Sequence, residues 1–542
     1  MSRSNRRAWL RSLVLSLGGT GVSRLLQAQE SSPGASGETD PHPAHPQTPA
    51  ERAASISPTA LGHPEGDLRR YGAIAAESPP SSSVQAANAA ALNAALLVSA
   101  AGGSAAFIPP GNWYYNATVS TGSGGRGHSS MHGEGVSSVL IPALGIDGLT
   151  FVSDGPSEGS RFFRDFVIQG PSTTTSSNSG ILIPNTTSAF IVGVLFSNLS
   201  IRNFEHGFNL QSAHFGLWGS LFLNCHLFNN YHGYLFRGQS VTNSIIGGYV
   251  QAHSMARPGS PTSYAINCEY SAPGNTQGLI VNGVSTYGYD VGISLNLTVN
   301  VTIDNCSFSL CRTYGIYLGS IQGGHFIRGC WVQARLGASS PNFVGIYLVS
   351  IAVPIADKIV VDANNIFGNS SAGTIGIYVG SNQNGVSVTN NTIGNNFFPL
   401  VSGVTGAFSG GAYNGVNSQN LVCTGNTIHA TGNAILMHAG AANATVGPNA
   451  VLSGTPLAFV GEAPAGLVYK HPPTPMSGTA AFTGGDSAEV IFDVPMPSST
   501  YRVVLGGNAD GYAWVASRAT AGFVIKCSAP NFNSTDWRIS YS

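Results

Sequence analysis

The chain has 542 residues and a formal net charge of −1, and charged residues make up only 9% of it, against about 25% in an average soluble domain. A chain this neutral lacks the basic face that a general nucleic-acid-binding protein needs, so that class of function is excluded. Because charged residues are rare, each acidic, basic or histidine side chain within a folded repeat is a candidate for a specific role.

Residues 1–28 predict an export signal. Twin arginines, an aromatic residue and a leucine precede a moderately apolar run that ends near Leu26, in the order Asn5-Arg6-Arg7-Ala8-Trp9-Leu10. This order resembles a bacterial Tat signal, with a Sec signal or a plain basic N-terminus as alternatives. The run is too short and too interrupted by glycine to span a membrane, and we find no other candidate span. We therefore expect an exported protein, periplasmic or extracellular, and a disordered linker over residues 29–66.

The folded part is predicted to begin at Asp67 with a capping structure. A helix is predicted from about Val84 to Ala100, because Ser81 can cap its start and Gly102 can end it. A strand and a Pro-Pro-Gly turn follow over residues 105–114. The first turn of a solenoid would otherwise expose an apolar cross-section and unpaired strand groups, so we expect this helix to cover that end.

The following region repeats, most clearly from Leu279 to Asn395. Each unit holds two short apolar strands with Asn, Gly and Ser at the bends, at an irregular period of roughly 22 to 31 residues. Such units bury a continuous core only when they stack about 4.8 Å apart. The repeat therefore predicts a right-handed parallel β-helix over residues 67–453. Two sets of residues are expected inside it: bend asparagines that bond along a ladder (Asn305, Asn364, Asn390, Asn426) and stacked reduced cysteines (Cys225, Cys306, Cys330).

The cap carries a resemblance to a known family. Its strand, its helix and the sequence Ile108-Pro109-Pro110-Gly111-Asn112-Trp113-Tyr114 resemble the N-terminal cap of the pectate lyase-like superfamily, in the branch of rhamnogalacturonase-like and epimerase-like β-helix proteins. The segment 133–140 resembles the next strand of that family, whereas residues 75–80 depart from its Asp-rich turn. The resemblance implies a β-helix and a polysaccharide ligand. It implies no catalytic set, because the polygalacturonase and pectate lyase motifs are absent and the alginate epimerase motif is echoed only at residues 287–290.

Candidate site residues form one column just before each Gly-x-x-Leu strand. In chain order they are Glu205, His206, His232, Tyr264, Asp290, Arg312 and Tyr314. We expect His232 or Tyr264 to transfer protons and Asp290 or Glu205 to act as acid or base. Arg312 would hold a substrate carboxylate through two hydrogen bonds.

Other residues are expected to bind substrate or to support the column. His206, Tyr314 and Trp331 are predicted to contact substrate, and Trp331 is predicted to share an outward face with Tyr249 and His226. The alternative is that the residues of the whole column are ordinary bend residues that only pack for stability. Arg237 and Glu269 are predicted to form a structural ion pair. No metal site and no cofactor are predicted.

The end of the chain changes character. Residues 454–477 are predicted to be a linker, and residues 478–542 alternate as in a small antiparallel β-sandwich. The sequence of this module resembles C-terminal modules of phage tail fibres and secreted polysaccharide-active proteins, related in pattern to H-type lectins. The resemblance implies sugar binding or subunit joining, with a plain end cap as the alternative.

These patterns lead to one functional expectation with two alternatives. The chain is expected to be an exported, all-β carbohydrate-active protein, a lyase or glycosidase acting on an extracellular polysaccharide that contains uronic acid. A non-catalytic carbohydrate-binding or adhesive protein is the first alternative. A tailspike-like depolymerase is the second, against which the export signal argues. The expected partner is a polysaccharide, not nucleic acid, and assembly as a homotrimer is left open.

Overall fold

The computed structural model describes residues 45–542 apart from short segments. These segments are 122–128, 153–160, 172–177, 186–189, 213–214, 253–261, 270–275, 320–323, 336–341, 350–355, 369–373, 381–382, 395–399, 407–419, 439–442, 456–457, 461–467, 470–476, 482–486, 492–501, 506–512, 520–521, 528–533 and 541–542. The predicted signal peptide and residues 29–44 of the predicted linker lie outside the described residues.

The chain forms the predicted right-handed parallel β-helix. Each full turn, here called a rung, adds one strand to sheet A and two strands to sheet B. Some rungs add a fourth, short strand, which belongs to sheet C. The strands of sheet A are Ala106–Ile108, Met131–Gly133, Arg161–Arg164, Val194–Ser197, Leu221–Leu223, Ser244–Ile246, Ile280–Asn282, Thr302–Asp304, His325–Arg328, Ala356–Asp362, Gln383–Thr389, Val422–Thr424, Thr445–Val446 and Val468–Tyr469. Those of sheet C are Ile191–Val192, Phe215–Trp218, Gln239–Val241, Thr276–Gln277 and Thr298–Val299.

Sheet B contains two strand series that meet at a corner. The first series is Gly111–Tyr115, Ser138–Pro142, Val167–Gln169, Ser200–Arg202, His226–Asn230, Tyr249–Ala252, Ser285–Tyr287, Ser307–Cys311, Trp331–Ala334, Asn365–Phe367, Thr392–Ile393 and Ala450–Thr455. The second series is Leu149–Thr150, Ser179–Asn185, His206–Ser212, His232–Arg237, Tyr264–Glu269, Val291–Asn296, Tyr314–Gly319, Val344–Val349, Ile375–Val379, Leu400–Gly406 and Ala458–Val460. Thr427–His438 runs through both series.

The interior contains columns of apolar side chains, buried cysteines and a ladder of asparagines. Phe196 and Phe222, in register on neighbouring rungs, stack with ring centroids 5.0 Å apart. Six cysteines whose side chains the structure describes are buried and free, as predicted for buried thiols (Cys225, Cys268, Cys306, Cys311, Cys330 and Cys423). Cys306 and Cys330 lie on adjacent rungs, as predicted, because Ser307 and Trp331 pair in register.

The predicted asparagine ladder is present in part: Asn364 and Asn426 belong to it, whereas Asn305 and Asn390 do not. The Oδ1 atom of Asn391 accepts hydrogen bonds from the backbone N–H and Nδ2 of Asn364, both at 2.9 Å. Asn426 and Asn449 repeat this contact on the following rungs, also at 2.9 Å. Asn390 takes a left-handed conformation with φ of 56°, as the bends were predicted to require. The ladder thus satisfies backbone donors that would otherwise be buried without acceptors.

The N-terminal cap starts earlier than predicted. The helix Ser82–Ala100, capped by Ser81, confirms the predicted cap helix. By length and composition alone it could also cross a membrane, but Leu92 and Leu96 are fully buried in the core.

The prediction of a disordered linker over residues 29–66 is wrong for residues 45–66. A helix, Pro49–Ala53, precedes the short 3-10 helix Leu68–Tyr71, and a second 3-10 helix spans Gly135–Ser137. Glu51 is fully buried and binds Arg70 through two hydrogen bonds of 2.5 and 2.9 Å. A buried charge pair of this kind requires an ordered segment.

The C-terminal boundary also differs from the prediction. Strands Ala450–Thr455, Ala458–Val460 and Val468–Tyr469 continue the parallel sheets into the predicted linker at 454–477. Beyond them lie two three-stranded antiparallel sheets. One holds Ser477–Ala481, Arg502–Leu505 and Ser534–Ser540, and the other Ser487–Ile491, Ala513–Ala519 and Gly522–Cys527. The antiparallel pairing follows the prediction.

Candidate functional site

The predicted column exists at the start of the second strand series of sheet B. His206 pairs in register with His232, and their imidazole rings stack with centroids 4.9 Å apart. Tyr264 lies on the next rung and stacks on His232 with centroids 5.7 Å apart. Tyr231 packs edge-on against His232 at 4.7 Å. Three predicted site residues therefore form one continuous ring stack, the His206–His232–Tyr264 stack.

Close backbone contact explains the glycine that follows each histidine. A Cβ atom at Gly233 would lie 2.3 Å from the carbonyl oxygen of Ala265 on the next rung. A Cβ atom at Gly207 would lie 2.8 Å from the carbonyl oxygen of Gly233. Only glycine therefore fits at this position of the strand, where neighbouring rungs approach closely, and the preceding histidine is half-buried.

Burial sets the charge state of the first histidine. Burial, with smaller contributions from the neighbouring His232 and Arg237, lowers the pKa of His206 to about 3. Among the described residues, no atom forms a hydrogen bond with Nδ1 of His206. His206 is therefore a neutral imidazole near pH 7. Burial also raises the pKa of the Tyr264 hydroxyl, which keeps that group protonated.

Asp290 and Arg312 are brought together as an ion pair. Nε of Arg312 lies 2.8 Å from a carboxylate oxygen of Asp290, and the side chains are 41% and 13% exposed. The Asp290 carboxylate also accepts a hydrogen bond from the backbone N–H of Ser263 at 2.9 Å. Separate roles were predicted for these residues, but the structure places the guanidinium and the carboxylate in one partly exposed unit.

The two predicted carboxylates are far apart along the helix axis. Glu205, Tyr231, Ser263 and Asp290 occupy equivalent corner positions on successive rungs, since their neighbours pair or stack in register. Three rung spacings correspond to about 14 Å. Glycoside hydrolysis needs two carboxyl groups about 5 to 10 Å apart. Glu205 and Asp290 thus do not form a hydrolytic pair in this structure.

The neighbouring column contains the predicted structural ion pair. Arg237 and Glu269 pair in register, and Nε of Arg237 lies 2.6 Å from a carboxylate oxygen of Glu269. Both side chains are more than a third exposed, so solvent screens this pair and it adds little stability.

A second aromatic row was not predicted as part of the site. Tyr317, Tyr347 and Tyr378 pair in register, and their rings stack with centroids 5.4 and 4.7 Å apart. The predicted residue Tyr314 packs at a tilt against Tyr317 and Tyr347, at 5.2 and 5.3 Å. These four residues are called the tyrosine row. The repeated Gly-Ile-Tyr triplet in the sequence could have revealed it.

Trp331 lies apart from the ring stack. It belongs to the first strand series, in the column that runs from His226 through Tyr249, as predicted. It is 43% exposed and contacts Phe367 with ring centroids 4.4 Å apart. Trp331 is four rungs beyond His226, about 19 Å along the axis. It does not join the His206–His232–Tyr264 stack.

Within the described part of the chain, no group of three or more His, Cys, Asp or Glu side chains is placed to hold a metal ion.

Comparisons with known proteins support the fold. No protein-family model matches the chain, and the search of curated proteins gives no significant match. Among solved structures, a mutant of the tailspike protein of E. coli bacteriophage HK620, in complex with pentasaccharide, is 13% identical with a TM-score of 0.56. The match covers 87% of this chain and 93% of the tailspike chain. The Azotobacter vinelandii mannuronan C-5 epimerase AlgE6 A-module is 17% identical, covering 75% of this chain and 99% of that one, with a TM-score of 0.44.

Proposed function

We propose that this protein binds an extracellular polysaccharide along the outer face of sheet B and cleaves a uronic-acid-containing chain by β-elimination. The observation that carries the proposal is the His206–His232–Tyr264 stack, which lies one rung from the Asp290–Arg312 pair. A carbohydrate ligand is supported by the fold neighbour whose structure contains a pentasaccharide.

The groups of the column match the requirements of an elimination. A base must remove the proton at C5 of the uronate, and a positive group must neutralise the carboxylate at C6. In the proposed step, His232 takes the C5 proton while the C4–O4 bond breaks and a C4–C5 double bond forms. The Tyr264 hydroxyl donates its proton to the departing O4, and the two groups regain their starting states by proton exchange with water. Arg312 contributes positive charge toward the uronate carboxylate.

The described carboxylates support elimination over hydrolysis. Glu205 and Asp290 are about 14 Å apart along the axis by the rung count. Asp290 and Glu269 are each held by an arginine, at 2.8 and 2.6 Å. A glycosidase would need one carboxyl group that stays protonated to act as the acid. In this structure both of these carboxylates are instead engaged in ion pairs with arginines.

The alternative is carbohydrate binding without catalysis, and the tyrosine row favours it. The stacked rings of Tyr317, Tyr347 and Tyr378 repeat at the rung spacing along the helix axis. Their half-buried positions leave polar edges available to the hydroxyl groups of a sugar chain. A row of this kind serves an adhesive protein as well as an enzyme.

A polysaccharide panel distinguishes these functions. The full chain is incubated with pectins, alginate, rhamnogalacturonan and bacterial exopolysaccharides, while unsaturated-uronate absorbance and new reducing ends are followed. β-Elimination raises both signals, whereas a rise in reducing ends alone would refute it. Silence on every polymer, with retention on an immobilised glycan, would support the binding alternative.

Variants then test the roles of the column. We expect His232→Ala and Tyr264→Phe each to lower the rate by about 10²- to 10⁴-fold. Arg312→Ala should chiefly weaken binding of the acidic polymer. His226→Ala is the matched control, because this histidine lies in the first strand series and outside the stack. Equal losses in His226→Ala and His232→Ala would contradict the assigned roles.

We extend the proposal to location and assembly. The twin-arginine segment supports export to the periplasm or beyond. The antiparallel sheets after residue 477 are proposed to bind sugar or to join subunits, with a homotrimer as the assembly. Light scattering on the full chain and on a chain ending at residue 470 measures whether the mass depends on this region.

A further inference from the structure

An uncharged aromatic face lies on the first strand series of sheet B, outside the column of the proposed site. The five first-series strands from Tyr249–Ala252 to Asn365–Phe367, all of them described in the structure, contain no Asp, Glu, Lys or Arg. The second series, by contrast, carries the two ion pairs of the site. The two series therefore offer different chemistry to a ligand.

Two exposed aromatic rings mark this face. Tyr287 and Trp331 are each 43% exposed, and in both strands the adjacent side chain is buried in the interior. Because side chains alternate along a strand, both rings point outward. Ser285 pairs in register with Ser307, and Ser307 pairs with Trp331. The rings thus lie two rungs apart, about 10 Å along the helix axis.

Uncharged polar groups lie beside and between the two rings. On the intervening rung, the partly exposed hydroxyl oxygens of Ser307 and Ser309 are 3.1 Å apart. Gln251 pairs in register with Tyr287 and is also partly exposed. Hydroxyl and amide groups both donate and accept hydrogen bonds. The Tyr287–Trp331 face is defined by these residues: Tyr249, Gln251, Tyr287, Ser307, Ser309 and Trp331.

The ring of Trp331 is supported from the next rung. Phe367, which pairs in register with Gln333, contacts Trp331 with ring centroids 4.4 Å apart and is only 6% exposed itself. A ring held by a buried neighbour loses little conformational freedom when a ligand binds to its exposed side. Trp331 is therefore preorganised as a binding platform.

We propose that the Tyr287–Trp331 face binds a neutral, extended polysaccharide, such as a β-1,4-linked glucan, at a site separate from the column proposed to act on uronates. The C–H faces of pyranose rings are apolar and stack on aromatic rings, while their hydroxyl groups need hydrogen-bonding partners at the ring edges. The face supplies both kinds of group. Two rings spaced along the axis can contact two sugar residues of one extended chain.

The chemistry of the face distinguishes this ligand from two others. An acidic polymer is disfavoured because the five strands offer no cation to its carboxylates. A second copy of this chain is disfavoured because the core of a protein interface is mostly apolar, whereas here serine hydroxyls separate the exposed rings.

Native affinity electrophoresis of the full chain tests this face. The protein is run in gels that contain increasing amounts of hydroxyethyl cellulose or glucomannan, both neutral, and in a gel without polymer. We expect both polymers to retard the wild type. Trp331→Ala and Tyr287→Ala should each weaken the apparent affinity by about tenfold, because aromatic anchors carry much of the binding energy of an interface.

A matched control distinguishes this face from general stickiness. Phe326 is an aromatic residue of similar exposure, 42%, on a strand of sheet A, and Phe326→Ala should be retarded like the wild type. The proposal is overturned if neither polymer retards the wild type, if both face variants keep wild-type affinity, or if Phe326→Ala loses as much affinity as they do. Tyr287→Ala decides the question alone if Trp331→Ala cannot be purified.

Two further readouts separate this face from the proposed elimination and from self-association. A wild type that is retarded by neutral polymers but releases no unsaturated uronate supports the face and refutes the elimination, and the opposite pair of results does the reverse. Light scattering measures the mass of the wild type and of Trp331→Ala at one concentration. A lower mass in Trp331→Ala, with unchanged retardation, would assign the face to a second copy of the chain and overturn the proposal.

Discussion

Acid should destabilise this protein through His206, and the size of the effect follows from its burial. The pKa of His206 is lowered from 6.5 to about 3 in the folded protein, chiefly because burial disfavours the charged imidazole. Below pH 6.5 the unfolded chain binds a proton at His206 that the folded chain does not bind. Stability contributed by this residue is therefore complete above pH 6.5 and is lost as the pH falls toward 3. Each pH unit well inside this window costs about 1.4 kcal/mol and about half as much at pH 6.5, so the change from pH 6.5 to 4.5 should remove about 2 kcal/mol.

Urea unfolding at pH 6.5 and at pH 4.5, followed by tryptophan fluorescence, measures this loss. The variant His206→Gln removes the titrating ring and should lose about 2 kcal/mol less than the wild type over the same interval. Gln211→Ala, an exposed position on the same strand, is the control and should follow the wild type. If His206→Gln and the wild type lose the same free energy, His206 does not stay neutral in the folded protein and the reasoning fails.

Three further predictions concern the ladder, the tyrosine row and the thiols. Asn391→Ala removes four buried hydrogen bonds of 2.9 to 3.0 Å and should cost at least about 3 kcal/mol in urea unfolding, whereas the exposed neighbour change Asn390→Gly should cost less than about 1 kcal/mol. Tyr347→Phe keeps the stacked ring and should weaken glycan retention less than Tyr347→Ala. Equal retention by both variants and the wild type would show that the tyrosine row does not bind glycan. Burial raises the pKa of Cys225 to about 12, so a Cys527→Ser variant should react with a thiol reagent only after denaturant is added, and rapid reaction of the native protein would contradict buried thiols.

The β-helix was predictable because its repeat is carried by residue types with one structural use. Asparagine in left-handed bends and small or β-branched residues in the strands each favour the stacked arrangement, and Asn364 and Asn426 lie in the ladder as expected. The register between His206 and His232 followed from aligning the Gly-x-x-Leu strands, since each rung repeats the same corner.

The errors arose where local composition does not determine tertiary contacts. The segment before residue 67 reads as linker because it has no periodicity, yet Glu51 forms a buried pair with Arg70, and the sequence alone does not show that contact. The Asp290–Arg312 pair was missed for a similar reason. Residues 22 positions apart face each other only because one rung separates them.

Rung spacing also determines which groups can act on one sugar residue. Groups on adjacent rungs are about 5 Å apart along the axis, so both can contact one monosaccharide and its linkage, whereas groups three rungs apart cannot. His232 and Tyr264 are adjacent, with ring centroids 5.7 Å apart, and Tyr264 pairs in register with Val291, the residue after Asp290. His232, Tyr264 and Asp290 therefore lie within two rung spacings, and the guanidinium of Arg312, which starts one rung further along, reaches back to the Asp290 carboxylate at 2.8 Å. Chemistry on this face is consequently expected to depend on His232, on Tyr264 and on the cation that Arg312 places beside Asp290. The proposed elimination assigns no role to Glu205, so Glu205→Gln should cost little in rate.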